Sequence, residues 1–197
     1  MRKITNEELN RPSAEEFATM QRIPVRVVLD NVRSAQNIGA FFRTSDAFAI
    51  EHIALCGITA TPPSKDIHKT ALGAELTVAW SYYASTEECV AELKNEGYRV
   101  LAIEQVEGAT MLDEIDVQPD VKYALVFGNE VAGVEQAVVD MCDGAIEIPQ
   151  SIVAPLKVFC ISRLQTAVYI IGRQGDTQIN RINKVEREVK VVGVNSP

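Results

Sequence analysis

Short apolar runs alternate with segments of helical spacing along this 197-residue chain, and that alternation restricts the fold more than any other feature. The runs lie at Val25 to Leu29, His52 to Cys56, Leu76 to Trp80, Arg99 to Glu104, Tyr123 to Phe127 and Ala145 to Ile148. Between them, helical patterns occupy Ala35 to Phe48, Ser64 to Ala74, Thr86 to Asn95 and Val134 to Met141. Strands separated by helices predict an α/β domain with a largely parallel sheet covered by helices on both faces. Such a sheet keeps its chemistry at the carboxyl ends of its strands.

Two strand ends carry polar chemistry. The first run leads into DNVRSAQNIGAFFRTSDAF, Asp30 to Phe48. On a helix from Ala35, the residues Ile38, Phe41, Phe42 and Ala49 share an apolar face, while Gln36, Gly39, Arg43 and Asp46 share the opposite one. Arg43 is thereby expected to point outward, with Gly39 one turn earlier clearing room for a phosphate or carboxylate. Helix capping and surface charge account equally well for Asn31, Arg33, Asn37 and Arg43 at this level. The second strand end is LVFGNEVAGV, Leu125 to Val134, where Gly128 and Gly133 permit a sharp turn and Glu130 offers a carboxylate. It is neither a GxGxxG dinucleotide fingerprint nor a GxxxxGK[ST] phosphate loop. A strand-to-helix turn with a capping acid and a ligand loop both remain open on these residues alone.

Composition narrows the partners. With 47% hydrophobic and 23% charged residues, the chain suits one core. The expected division is an N-terminal helical arm over 1–22, interrupted by Pro12, a domain over 23–173 and a tail over 174–197. The longest apolar runs fall far short of the ~18 residues of a membrane span. The opening MRKITNEELNRPSAEEF places acidic residues where a signal peptide needs an apolar stretch, which predicts a cytoplasmic protein. Cys56, Cys89, Cys142 and Cys160 form no CxxC pair, and His52 and His68 are the sole histidines, so neither a metal site nor a Ser/His/Asp triad is expected. The net charge of −8 opposes nucleic-acid binding unless cations gather locally. Candidates for such a patch are Arg22, Arg26, Arg33, Arg43, Lys65 and Lys69; in the tail, Asp176, Glu186 and Glu188 interleave with the positive residues.

Taken together, the two polar strand ends resemble the signatures of the SPOUT class of RNA methyltransferases, in particular the TrmH-type ribose 2′-O-methyltransferases. The family's N-x-G-x-x-x-R corresponds to Asn37, Gly39 and Arg43, and its G-x-E-x-x-G to Gly128, Glu130 and Gly133. KTALGAE, Lys69 to Glu75, is also similar to the family. The resemblance implies a C-terminal deep trefoil knot, which periodicity alone would not suggest because knots are rare. It further implies a homodimer, bound S-adenosylmethionine, and an RNA substrate, transfer or ribosomal. By this mapping Arg43, Asn37 and Glu130 are the catalytic candidates, and Gly128, Asn129, Gly133, Ile148 and Leu156 the cofactor-binding candidates. No metal is implied.

The family's third signature, S-L-N-V-S-V-A after a strand ending in I-P, does not follow Ile148 and Pro149. The chain instead reads QSIVAPLKVFCISRLQTAVYIIGR, with Leu156 as the candidate for the family's leucine. Three readings stand here: a divergent active enzyme, a catalytically silent RNA-binding or dimer scaffold that has lost cofactor binding, and a frameshift in the coding sequence. The nucleotide sequence across Gln150 to Thr166 decides the last.

Overall fold

The computed structural model describes residues 2–5, 8, 22–118 and 120–148. Its strands are β1 (Ile23–Asp30), β2 (Ile50–Cys56), β3 (Trp80–Tyr83), β4 (Tyr98–Ile103), β5 (Thr110–Met111), β6 (Lys122–Phe127) and β7 (Gly144–Glu147). Its helices are α1 (Ala35–Ala47), α2 (Lys65–Ala71), α3 (Thr86–Asn95) and α4 (Gln136–Met141), with a 3-10 turn at Ala74–Leu76. The strands form one sheet in the order β3-β2-β1-β6-β4-β7-β5, and every pairing is parallel. The parallel α/β expectation therefore holds for the described residues. The arm, the tail and the segment after Ile148, including Leu156 and the expected knot, lie outside or almost wholly outside them.

Strand alternation divides the core in two. On one face Val25, Val27 and Leu29 of β1 and Leu125 and Phe127 of β6 meet Ile38, Phe41 and Phe42 of α1 and Ile67 and Ala71 of α2. On the other face Val28, Ala124 and Val126 meet Cys89, Val90 and Leu93 of α3 and Val138 of α4. Helices thus cover both faces, as a parallel sheet requires. Phe41 packs edge-on against Phe127, with ring centroids 5.0 Å apart, and so fixes α1 against the end of β6.

Serine starts three of the helices. The Ser34 hydroxyl accepts from the Asn37 N–H at 3.2 Å, Ser64 from Ile67 at 3.5 Å and Ser85 from Glu88 at 3.2 Å. Helix α1 ends at Ala47, and Ala49, expected on its apolar face, lies in the following turn with φ 51°. Helix α2 ends where Leu72 turns left-handed at φ 55°.

Gly39 has a different task from the one expected. It is buried, and a Cβ at this position would lie 2.1 Å from Thr70 Oγ1 and 2.4 Å from the Ile67 carbonyl oxygen. The missing side chain lets α1 and α2 touch; it does not open a space beside Arg43. Gly39→Ala should force the two helices apart and cost about 2 kcal/mol, at the cost typical of overpacking, which chemical denaturation would measure.

Two strand assignments shift. The run Leu76 to Trp80 starts in the 3-10 turn, where Leu76 is 83% exposed, and β3 begins only at Trp80. The expected loop from Gly108 to Asp120 contains the short β5, which joins β7 at the sheet edge.

Candidate active site

The direction of the strand order reverses between β1 and β6. β1 leads through α1 to β2 on one side, whereas β6 leads through α4 to β7 on the other. In the register of the two strands Leu29 lies beside Phe127, so the two polar segments leave the sheet next to each other. A crevice at such a switch point is where open α/β sheets bind ligands.

Glu130 joins the two segments. One carboxylate oxygen accepts from the Asn37 amide at 2.9 Å and the Ser34 N–H at 3.0 Å; the other accepts from the Arg33 N–H at 3.2 Å. Two of these donors are backbone groups at the start of α1, where a negative charge is also favoured by the helix dipole. Burial works to raise the Glu130 carboxyl, but its hydrogen bonds outweigh that and hold it below the usual carboxylate range. Asn37 is itself buried, so its amide is committed to Glu130.

The turn between Gly128 and Gly133 is closed by its own hydrogen bonds. Asn129 and Gly133 exchange both backbone bonds at 2.9 Å. The Asn129 side chain accepts from the Val131 and Ala132 N–H groups at 2.8 and 3.2 Å and donates to the Asn31 carbonyl at 2.9 Å. Asn129 and Gly133 therefore close the loop on itself, with Gly128 at its start. At Gly128 a Cβ would lie 2.0 Å from the Gly133 carbonyl carbon, so the chain can cross itself only with glycine there. Gly128→Ala should open the turn and weaken cofactor binding at least ~10-fold, read by calorimetry, at the scale of roughly 1.4 kcal/mol.

Arg43 is exposed on α1, as its spacing predicts, and forms no ion pair among the described residues. Arg33 is also exposed, as are Lys65 and Lys69 of α2. Arg26 does not belong with them. It contacts Glu51 at 3.2 Å and Glu96 at 2.8 Å and lies 4.6 Å above the Tyr98 ring, so its charge is spent within the protein. Arg22 donates to the Thr77 carbonyl oxygen at 3.2 Å. His68 is a surface residue paired with the buried Glu75 at 2.5 Å. The thiols of Cys56, Cys89 and Cys142 are free, and burial pushes Cys142 up to about 11. Among the described residues no group of His, Cys, Asp and Glu could hold a metal, and no helix is long and apolar enough to cross a membrane.

A sequence model of the SpoU rRNA Methylase family matches residues 24–155. The chain belongs to this family. Within the SpoU family it is 28% identical over 123 residues to the 23S rRNA (guanosine-2′-O-)-methyltransferase of Coxiella burnetii, covering 62% of this chain and 48% of that protein. It is 29% identical over 142 residues to the tRNA (guanosine(18)-2′-O)-methyltransferase of Thermus thermophilus, covering 72% and 71%. The chain spans about half the length of the first curated relatives it matches. An AdoMet-bound rRNA methyltransferase from Sinorhizobium meliloti is similar in structure, with TM-score 0.69, 25% identity and coverage of 80% of this chain and 59% of that one. The TrmH/SpoU tRNA modifying enzyme of A. aeolicus shares the fold at TM-score 0.70 and 21% identity, covering 93% and 95%. The match to the SpoU family takes in both signature segments and Ile148, and stops one residue before Leu156.

The SpoU-type strand ends fit an adenosyl sulfonium. Gly128 and Ile148 follow β6 and β7, with β4 between them, and Ile148 is half-buried against the core. Backbone groups and an aliphatic side chain suit a neutral purine ring. Glu104 and Gln105, after β4, put a carboxylate rather than a cation beside this edge, which favours a positive sulfur. Glu104 also supports the turn, accepting from the Val134 N–H at 2.9 Å and filling the space where a Gly133 side chain would lie. Sequence reasoning missed Glu104, as it missed the buried Asp30. The one local signal for each is an acid at the end of an otherwise apolar strand.

Proposed function

We propose that the chain transfers a methyl group from S-adenosylmethionine to a ribose 2′-hydroxyl of structured RNA, transfer RNA in preference to ribosomal RNA. The observation that carries this reading is the Glu130 link, which fixes the family's glycine turn to the start of the helix that presents Arg43. Gly128, Asn129, Gly133 and Ile148, with Leu156 outside the described residues, would hold the cofactor, which when bound supplies an electrophilic methyl group. The protein's own residues handle the nucleophile. A guanidinium is a poor base because it stays protonated, so Arg43 serves best as a clamp on the neighbouring phosphate that orients the 2′-hydroxyl through paired hydrogen bonds. Glu130 and Asn37 act by holding α1 and the turn in one geometry.

RNA is the expected partner because the 2′-hydroxyl distinguishes it from DNA. In an acidic protein, Arg33, Arg43, Lys65 and Lys69 would supply the local positive field, and binding should weaken as salt rises. The same reading includes the division into arm, domain and tail, a C-terminal trefoil knot, a homodimer in which one subunit's Arg43 serves the other's cofactor pocket, and a cytoplasmic location. The names of the relatives support the active enzyme over the silent scaffold. Calorimetric titration with S-adenosylmethionine separates the two: stoichiometric binding is expected, and a folded protein that binds none would be a scaffold.

A further inference from the structure

Asp30 stands at the end of β1 with its carboxylate 1% exposed, and three segments of the chain converge on it. One of its oxygens accepts from the Thr86 hydroxyl at 2.6 Å and the Asn31 side-chain amide at 3.0 Å; the other accepts from the Glu135 N–H at 3.0 Å. Glu135 closes the glycine-turn segment ahead of α4. Asn31 grips the other end of that segment, because its carbonyl accepts from the Asn129 amide at 2.9 Å. Its side-chain oxygen also accepts from the Ile58 N–H at 3.1 Å, which ties in the loop after β2.

We propose that Asp30 is a positioning residue for methyl transfer, setting the height of the Gly128–Gly133 turn, and with it the cofactor edge, against the start of α1. All three groups facing its carboxylate are donors, which is why an acid is needed. An amide in its place keeps an acceptor on one side only, so either the Glu135 N–H or the Asn31 amide loses its acceptor, and the charge that strengthens the bond to the turn is gone. Neither signature of the family contains Asp30. The inference rests on the methyltransferase reading.

The test compares Asp30→Asn with Thr86→Val in the full chain, at saturating S-adenosylmethionine and with kcat expressed per cofactor-binding site. Thr86→Val removes only the bond to α3 and leaves the bonds from the Glu135 N–H and the Asn31 amide. Asp30→Asn is expected to lower kcat per site roughly 10- to 100-fold, the scale of a small misplacement of reacting groups, with the RNA KM nearly unchanged. Thr86→Val is expected to lower the melting temperature and leave kcat per site near wild type. Equal loss in both variants, or wild-type kcat per site in Asp30→Asn, would overturn the proposal by reducing Asp30 to fold support. If Asp30→Asn does not fold, Glu135→Pro removes the same donor from the other side, at a residue whose φ of −61° already suits proline. A folded Glu135→Pro protein with undiminished kcat per site would equally overturn it. Inactive wild-type enzyme would contradict the methyltransferase reading instead, so the two failures are distinct.

Discussion

Arg43→Ala is expected to cut methyl transfer roughly 1000-fold or more while leaving the Kd for S-adenosylmethionine within about twofold of wild type. The asymmetry follows from where Arg43 stands. It is exposed on α1 and, among the described residues, engages nothing that shapes the glycine turn, whereas the turn is closed by bonds between Asn129 and Gly133 and anchored through Glu130. Arg43→Lys should recover only a small part of the rate, because an ammonium keeps the charge and loses the planar fork that can fix a phosphate and a hydroxyl together. Single-turnover rates and calorimetry on the same preparations would separate chemistry from binding. A large loss of cofactor affinity in Arg43→Ala would place the arginine in the cofactor pocket instead.

Glu130→Ala is expected to lose both stability and activity. It strips an acceptor from three donors, two of them at the start of α1, and leaves the buried Asn37 amide without its partner. Hydrogen bonds to a charged acceptor contribute about 1.5–3 kcal/mol each and do not add fully, so a destabilisation of about 2–4 kcal/mol is expected in urea unfolding. The pH dependence has a definite sign. Because the folded protein holds this carboxyl below its usual range, its contribution is complete above the unfolded pKa and is lost as pH falls through the lowered folded value. The acid limb of the stability curve should therefore be shallower in Glu130→Ala. An unchanged acid limb would mean that the link does not contribute.

Much of this architecture was legible because a parallel sheet buried on both faces writes itself as apolar runs. β1, β2, β4 and β6 lie within a few residues of their expected bounds, and α3 coincides with its pattern. The edges were not legible, for a physical reason. β3 and β5 have a neighbour on one side only, and with less to bury they carry less apolar signal. β3 reads WSYY, and β5 has two residues, too few for any periodicity.

The site divides in the same way. Arg43 could be placed outward from helical spacing alone. The partner of Asn37 could not, since Glu130 is 93 residues away and reaches it only because β1 and β6 are adjacent. Gly39 illustrates the limit of helical-wheel reasoning, because a small residue can admit a ligand or a second helix, and α2 was invisible from α1. Arg26 was misplaced among the RNA-facing cations because its partners Glu51, Glu96 and Tyr98 come from two other places in the chain.

The central claim is methyl transfer to a ribose oxygen. The most direct measurement incubates the full chain with S-adenosylmethionine carrying a labelled methyl group and with transfer and ribosomal RNA, digests the RNA to nucleosides and separates the labelled products. The account predicts 2′-O-methylnucleosides from wild-type protein and none above background from Arg43→Ala. Label on a base, or no label from a wild-type protein that binds the cofactor, would contradict it.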